Sequence, residues 1–149
     1  MIKTFRGLLA DGEQETIRLS TNNGLMGYRI VKFQIVGTVP GTVDQESIVK
    51  IYKYEQLTTA GDPDVDGTID FDDGTLLAVA YWESYGTQYS SSPPGPIIFE
   101  SEVFNQDVYV THKDVNTGES CNYYIELEQV KLDLSEATVA TLKDMRGSN

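Results

Sequence analysis

A chain of 149 residues suits one domain, which at that size buries about two-thirds of the surface its unfolded form exposes. Its 23 acidic and 11 basic residues give a net charge of −12, a field that repels phosphate backbones and argues against nucleic-acid partners. No apolar stretch approaches the ~18 residues of a membrane-spanning helix, and a lone cysteine (Cys121) and a lone histidine (His112) supply neither an internal disulfide nor a Cys/His zinc site.

The N-terminus, Met1-Ile2-Lys3-Thr4-Phe5-Arg6, alternates polar and apolar residues and has no signal-peptide core, so it reads as a first strand over 2–9. A second strand is expected over 15–20. In residues 29–35 the period of two puts Val31, Phe33 and Ile35 on one face and Lys32 and Gln34 on the other. Residues 45–54 repeat it, with Val49 and Ile51 opposed by Lys50 and Tyr52. Further strands are predicted over 68–71, 75–83, 96–100 and 107–111. In residues 121–129, Cys121, Tyr123, Ile125 and Leu127 form the apolar face.

Turn chemistry separates these runs at Asp11-Gly12, Asn23-Gly24, Pro40-Gly41, Asp73-Gly74, Pro94-Gly95 and Asn116-Thr117-Gly118. Many short alternating strands with frequent turns predict one all-β domain over 1–149, an antiparallel β-sandwich wound as a jelly roll. The stretch 75–83 is apolar on both faces, which suits a strand covered on both sides or one at a subunit contact. Residues 85–96, rich in serine and proline, predict an extended, flexible loop. The C-terminal stretch 135–146 predicts a helix with Ser135 as N-cap, Leu134 stapled on Val139, and Val139, Leu142 and Met145 on one side.

One motif carries metal chemistry. Residues 62–73 resemble an EF-hand calcium loop, with Asp62, Asp64, Asp66, the Thr68 carbonyl, Asp70 and Asp73 at the ligand positions and Gly67 at the turn. The flanks read as strands and not helices, and the last position holds Asp where that family has Glu. The plainer reading is an acidic loop entering a hairpin of 68–71 and 75–79. The alternative is a structural calcium held by the aspartates; otherwise no cofactor is expected.

Nothing assembles a catalytic centre. His112 continues an apolar strand face, Cys121 lies on another, and Glu126 and Glu128 are neighbours on one strand and not opposed across a cleft. Lys50, Tyr52, Lys53 and Tyr54 form a small basic and aromatic patch of the kind that meets single-stranded nucleic acid, set against a strongly acidic chain. The expectation is a protein that is not an enzyme.

The runs Asp107-Val108-Tyr109-Val110-Thr111-His112, Asn122-Tyr123-Tyr124-Ile125-Glu126-Leu127-Glu128 and Glu136-Ala137-Thr138-Val139-Ala140-Thr141-Leu142-Lys143 resemble small virion-type structural proteins of marine tailed bacteriophages. So do Lys3-Thr4-Phe5-Arg6-Gly7-Leu8 and Gly27-Tyr28-Arg29-Ile30-Val31-Lys32-Phe33. The resemblance implies a virion component assembled in the host cytoplasm. Capsid decoration on the major capsid protein comes first, and a neck or tail protein second. A homo-oligomer is expected, without nucleic-acid or membrane partners. A calcium-dependent carbohydrate- or receptor-binding module is the other class. Candidate contact residues are Trp82, Tyr85, Tyr89, Pro93, Pro94, Val139, Leu142 and Met145.

Overall fold

The computed structural model describes residues 1–21, 23–86 and 95–146. Eight strands precede one helix: β1 (Ile2–Leu9), β2 (Gln14–Ile17), β3 (Met26–Gly37), β4 (Gln45–Tyr52), β5 (Leu76–Ser84), β6 (Ile97–Phe99), β7 (Val108–Asp114), β8 (Cys121–Lys131) and α1 (Leu134–Arg146). They form two antiparallel sheets, ordered β1-β8-β3 and β2-β7-β4-β5-β6.

The order is that of a long hairpin rolled into a sandwich. The pairs β4·β5, β2·β7 and β1·β8 nest outward from the central turn, the first two in the five-stranded sheet and the third in the three-stranded one. The missing fourth pair is supplied just after β6, where Phe104 bridges Tyr28 of β3. The Tyr28 and Phe104 backbones exchange N–H···O bonds of 2.8 and 2.9 Å. This is the wound jelly-roll order.

The core lies between the sheets. Phe33, Ile35, Val49, Ile51, Val110, Ile125 and Leu127 are at most 5% exposed. The β8 alternation holds as read, with Cys121, Tyr123, Ile125 and Leu127 all buried. In β3 the reading needs a correction. The register against β8 shifts between Ile30 and Lys32, leaving Val31 as the extra residue of a bulge. Val31 therefore turns outward, and Ile30 joins Phe33 and Ile35 in the core. Glycine makes room at two crossings. A Cβ at Gly7 would strike the Tyr123 ring opposite it, and one at Gly37 would strike the Trp82 indole.

The two outer faces differ. On the second sheet, the β4–β5 connection (residues 53–75) folds back over the strands. Ile48, Lys50 and Tyr52 on the outer side of β4 are therefore buried, with 6%, 3% and 7% exposure. Val79, facing outward on β5, is 4% exposed. The apolar character of β5 on both faces thus has an internal cause. The predicted strand over 68–71 does not form. Asp70 and Asp73 turn their carboxylates onto the N–H groups of Asp72 and Thr75 (2.9 and 2.8 Å). Such side-chain bonds compete with a ladder. The outer face of the β1-β8-β3 sheet carries no such cover among the described residues.

The helix also departs from expectation. Its N-cap is Asp133, not Ser135: Asp133 Oδ1 accepts the Glu136 N–H at 2.8 Å, and its carbonyl accepts the Ala137 N–H at 2.9 Å. The buried side is Ala137, Ala140 and Asp144, at helical spacings of three and four. Leu134 and Val139 are 76% and 54% exposed, so no staple forms between them.

Candidate functional site

The acidic connection owes its path to one cation. Lys50 sits mid-strand in β4, pointing away from the sandwich core, and Gly67 brings the loop backbone over it. A Cβ at Gly67 would lie 2.5 Å from Val115 Cγ1, so a larger residue there would force Val115 or the loop to shift. Lys50 Nζ donates to the Thr68 carbonyl at 2.6 Å and to Asp66 Oδ1 at 3.4 Å, and stands 5.4 Å from the centre of the Tyr52 ring. Partial burial pushes the Asp66 carboxyl up, but the Thr68 N–H and the Lys50 charge outweigh it and hold it below its usual value.

The two oxygens that Lys50 takes are those of the fifth and seventh positions of the calcium-like loop. Asp64, Asp66, Asp70 and Asp73 line one small cleft with Lys50. Yet among the described residues no three acidic, histidine or cysteine side chains come together closely enough to hold a metal. Asp62 is exposed at the mouth of a tight turn, where its carbonyl accepts the Thr58 N–H. A calcium ion at Asp66 and Thr68 would have to displace a buried ammonium, so this donor set does not fit calcium while Lys50 is in place. The basic and aromatic patch is likewise mostly buried, with Tyr54 the one exposed residue of its four. Lys50 and Lys53 are 3% and 8% exposed, and Lys53 pairs with Glu102 at 3.0 Å.

The reactive side chains are enclosed. Gln45 Nε2 donates to Ser47 Oγ at 2.7 Å, and Ser47 Oγ lies 2.8 Å from His112 Nε2. His112 Nδ1 lies 3.1 Å from the Ala10 carbonyl, which can only accept. The carbonyl partner places a proton on Nδ1, which donates to Ala10. Ser47, His112 and Cys121 are all 0% exposed, so no substrate reaches this serine–histidine contact. Burial drives the Cys121 thiol up to about 11 even though Ser47 opposes it, which removes the thiolate that reactivity needs.

Asn105 is the buried organiser that alternation cannot reveal. It is 0% exposed, donates through Nδ2 to Thr141 Oγ1 (2.8 Å) and the Gly24 carbonyl (3.1 Å), and donates through its backbone N–H to Asp144 Oδ2 (3.1 Å). It thereby bolts α1 to the sandwich. The burial of Asn105 and Asp144 is not readable from the sequence, so no signal there points to them. Beside this bolt runs a groove of about 800 Å³ between α1, the end of β8 and residues 100–103. Val103, Leu132 and Val139 give it apolar walls, and Glu100, Glu102, Glu136 and Lys143 rim it.

Of the candidate contact residues, Val139 and Leu142 are about half exposed on α1. Trp82 packs partly against the core, and its Nε1 has no hydrogen-bond partner among the described residues. The Tyr85 hydroxyl donates to Glu46 Oε1 at 3.0 Å, tying that end of the 85–96 stretch to β4. Tyr89, Pro93 and Pro94, most of the predicted flexible loop, and the Met145 side chain lie outside the described residues. No family model matches this chain, and no curated protein matches it either.

Proposed function

We propose that this protein is a structural component of a tailed-phage virion, first of all a capsid decoration protein seated on the major capsid protein. The observation that carries the reading is where chemistry and apolar surface fall. The groups able to catalyse are consumed inside the fold: His112, Ser47 and Cys121 in the core, and Lys50 beneath the acidic loop. Apolar side chains are instead left on the surface, among them Leu134, Val139 and Leu142 on the helix, Ile2, Leu8 and Val36 on the open sheet, and Ile69, Phe71 and Ile98 elsewhere. A domain that docks, and does not turn over substrate, has this distribution. The sandwich supports it by offering sheet faces and edges to neighbours on a symmetric shell. The remaining acidic surface keeps particles apart in solution.

The test is the copy number of the chain per purified particle, by quantitative mass spectrometry against the major coat protein. A number comparable to the coat protein is expected. A far smaller number reassigns the protein to a neck or tail, and absence from particles overturns the structural role.

A further inference from the structure

We propose that two copies of this chain join edge to edge through β1, antiparallel, about a two-fold axis at Phe5. The inference concerns the purified chain and holds whatever larger body it docks on.

Among the described residues β1 pairs with β8 alone and is an outer strand of its sheet. It runs for eight residues without a register shift, and it contains no proline. The other edges are blunted. β2 and β6 have four and three residues. β3 carries the Val31 bulge and is bridged at Tyr28 by Phe104. A long, regular, unprotected edge is a template for another strand.

The ladder tells which groups that edge offers. Ile2 stands opposite Glu128, so Met1 stands opposite Gln129, and the Gln129 N–H donates to the Met1 carbonyl at 2.9 Å. Opposed residues in an antiparallel pair alternate between exchanging both bonds and exchanging none. The odd residues of β1 therefore point N–H and C=O toward β8. Ile2, Thr4, Arg6 and Leu8 point theirs outward, to the free edge.

A two-fold β1 pair must match even residues with even residues, and three central registers do so. An axis at Arg6 sets Arg6 against the partner's Arg6. An axis at Thr4 sets Ile2 against the partner's Arg6 and leaves Leu8 unmatched. An axis at Phe5 sets Ile2 against the partner's Leu8 and Thr4 against the partner's Arg6, each twice, while Lys3 meets the partner's Gly7. Only this register opposes apolar to apolar and sets no two like charges directly opposite each other.

The side chains it joins are the exposed ones. Ile2 is 48% and Leu8 54% exposed on the outer face of the sheet, and each would cover the other. β1 also holds Lys3 and Arg6 and no acidic residue, in a chain of net charge −12. Two copies meeting at β1 therefore keep most of their acidic surface apart. The product is one continuous six-stranded sheet across the pair, a strand-addition contact specified by backbone bonds and alternate side chains.

The experiment is the solution mass of the whole chain by light scattering over a wide concentration range, with Thr4→Pro beside it. The Thr4 N–H faces outward, so proline removes a bond of the dimer and none of the β8 ladder. The wild type is expected to approach twice 16.6 kDa with rising concentration. Thr4→Pro should remain monomeric with an unchanged far-UV spectrum. If Thr4→Pro fails to fold, Leu8→Lys, which sets a charge against the partner's Ile2, carries the same expectation. In hydrogen exchange, the amides of Thr4, Arg6 and Leu8 should be protected in the wild-type dimer, and those of Arg6 and Leu8 should be fast in Thr4→Pro, which has no amide at position 4. Those of Lys3, Phe5 and Gly7 should stay protected in both. A wild type that stays monomeric at the highest concentration, or a folded variant that keeps the dimer mass, overturns the proposal. The monomeric wild type would leave the edge to a strand of another protein.

Discussion

Replacing Asp66 by Asn should destabilise this protein more than replacing Lys50 by Met, although Asp66 is at the surface and Lys50 is buried. The Lys50 side chain is 3% exposed and that of Asp66 67%. Removing one partner of a fully buried pair costs about 3–5 kcal/mol, because the remaining charge is stranded out of water. Here water already shares the role of the exposed carboxylate, and screening leaves roughly 2 kcal/mol for Asp66→Asn. Lys50→Met removes the charge itself. It loses a charge-assisted bond to the Thr68 carbonyl, worth about 1.5–3 kcal/mol, but it also abolishes the desolvation cost of the ammonium. The exposed carboxylate it leaves behind is simply hydrated, so the net loss is about 1 kcal/mol or less. For a chain of this size 1 kcal/mol moves Tm by about 2–4 °C. Thermal melts followed by circular dichroism should thus show Asp66→Asn falling by about 4–8 °C and Lys50→Met by less than about 4 °C. The double variant should resemble Lys50→Met. A larger fall for Lys50→Met than for Asp66→Asn would refute the stranded-charge argument and make Lys50 a plain adhesive for the loop.

Lys50 holds the Asp66 and Thr68 oxygens, so millimolar calcium should leave the wild-type Tm unmoved; a wild-type shift in calcium melts would show that the ammonium does not block the ion. Asp114 accepts N–H bonds from Glu46 and Asn116 (3.0 Å each) and Glu119 (2.7 Å), and although burial pushes its carboxyl up, these bonds hold it below its usual value. A depressed folded pKa contributes stability above the unfolded value of 3.8 and loses it as pH falls through the folded value, so Asp114→Asn should flatten the acid limb of a Tm-against-pH curve below about pH 5. Asp144 has the opposite sign: burial raises its carboxyl, so its charged form opposes folding above the raised value. Asp144→Asn should be at least as stable as the wild type at pH 7, and a Tm lower by several degrees would contradict this. Cys121 should resist an aromatic disulfide reagent in the native state and react only at the rate of global unfolding, read by absorbance against denaturant.

The alternation of β8 and β7 and the turn dipeptides determined an antiparallel all-β fold, because a period of two with one apolar face must bury that face against a second sheet or by closing into a barrel. The same logic placed His112 and Cys121 inside. What alternation cannot show is a cover over the second face. Lys50 is polar at an outward position, and only the fold-back of residues 53–75 buries it and spends the acidic motif on an internal cation. Val31 looked like core because a bulge is a local backbone event that one strand read alone does not announce. The helix was legible, but its buried side was not. Asn105, distant in sequence, takes hold of Gly24, Thr141 and Asp144 and turns Val139 and Leu142 outward. Hydrophobic period set which segments become strands and helix. The tertiary structure decided which polar groups are satisfied within the molecule, and so which apolar ones remain for a partner, because that depends on contacts between residues far apart in the chain.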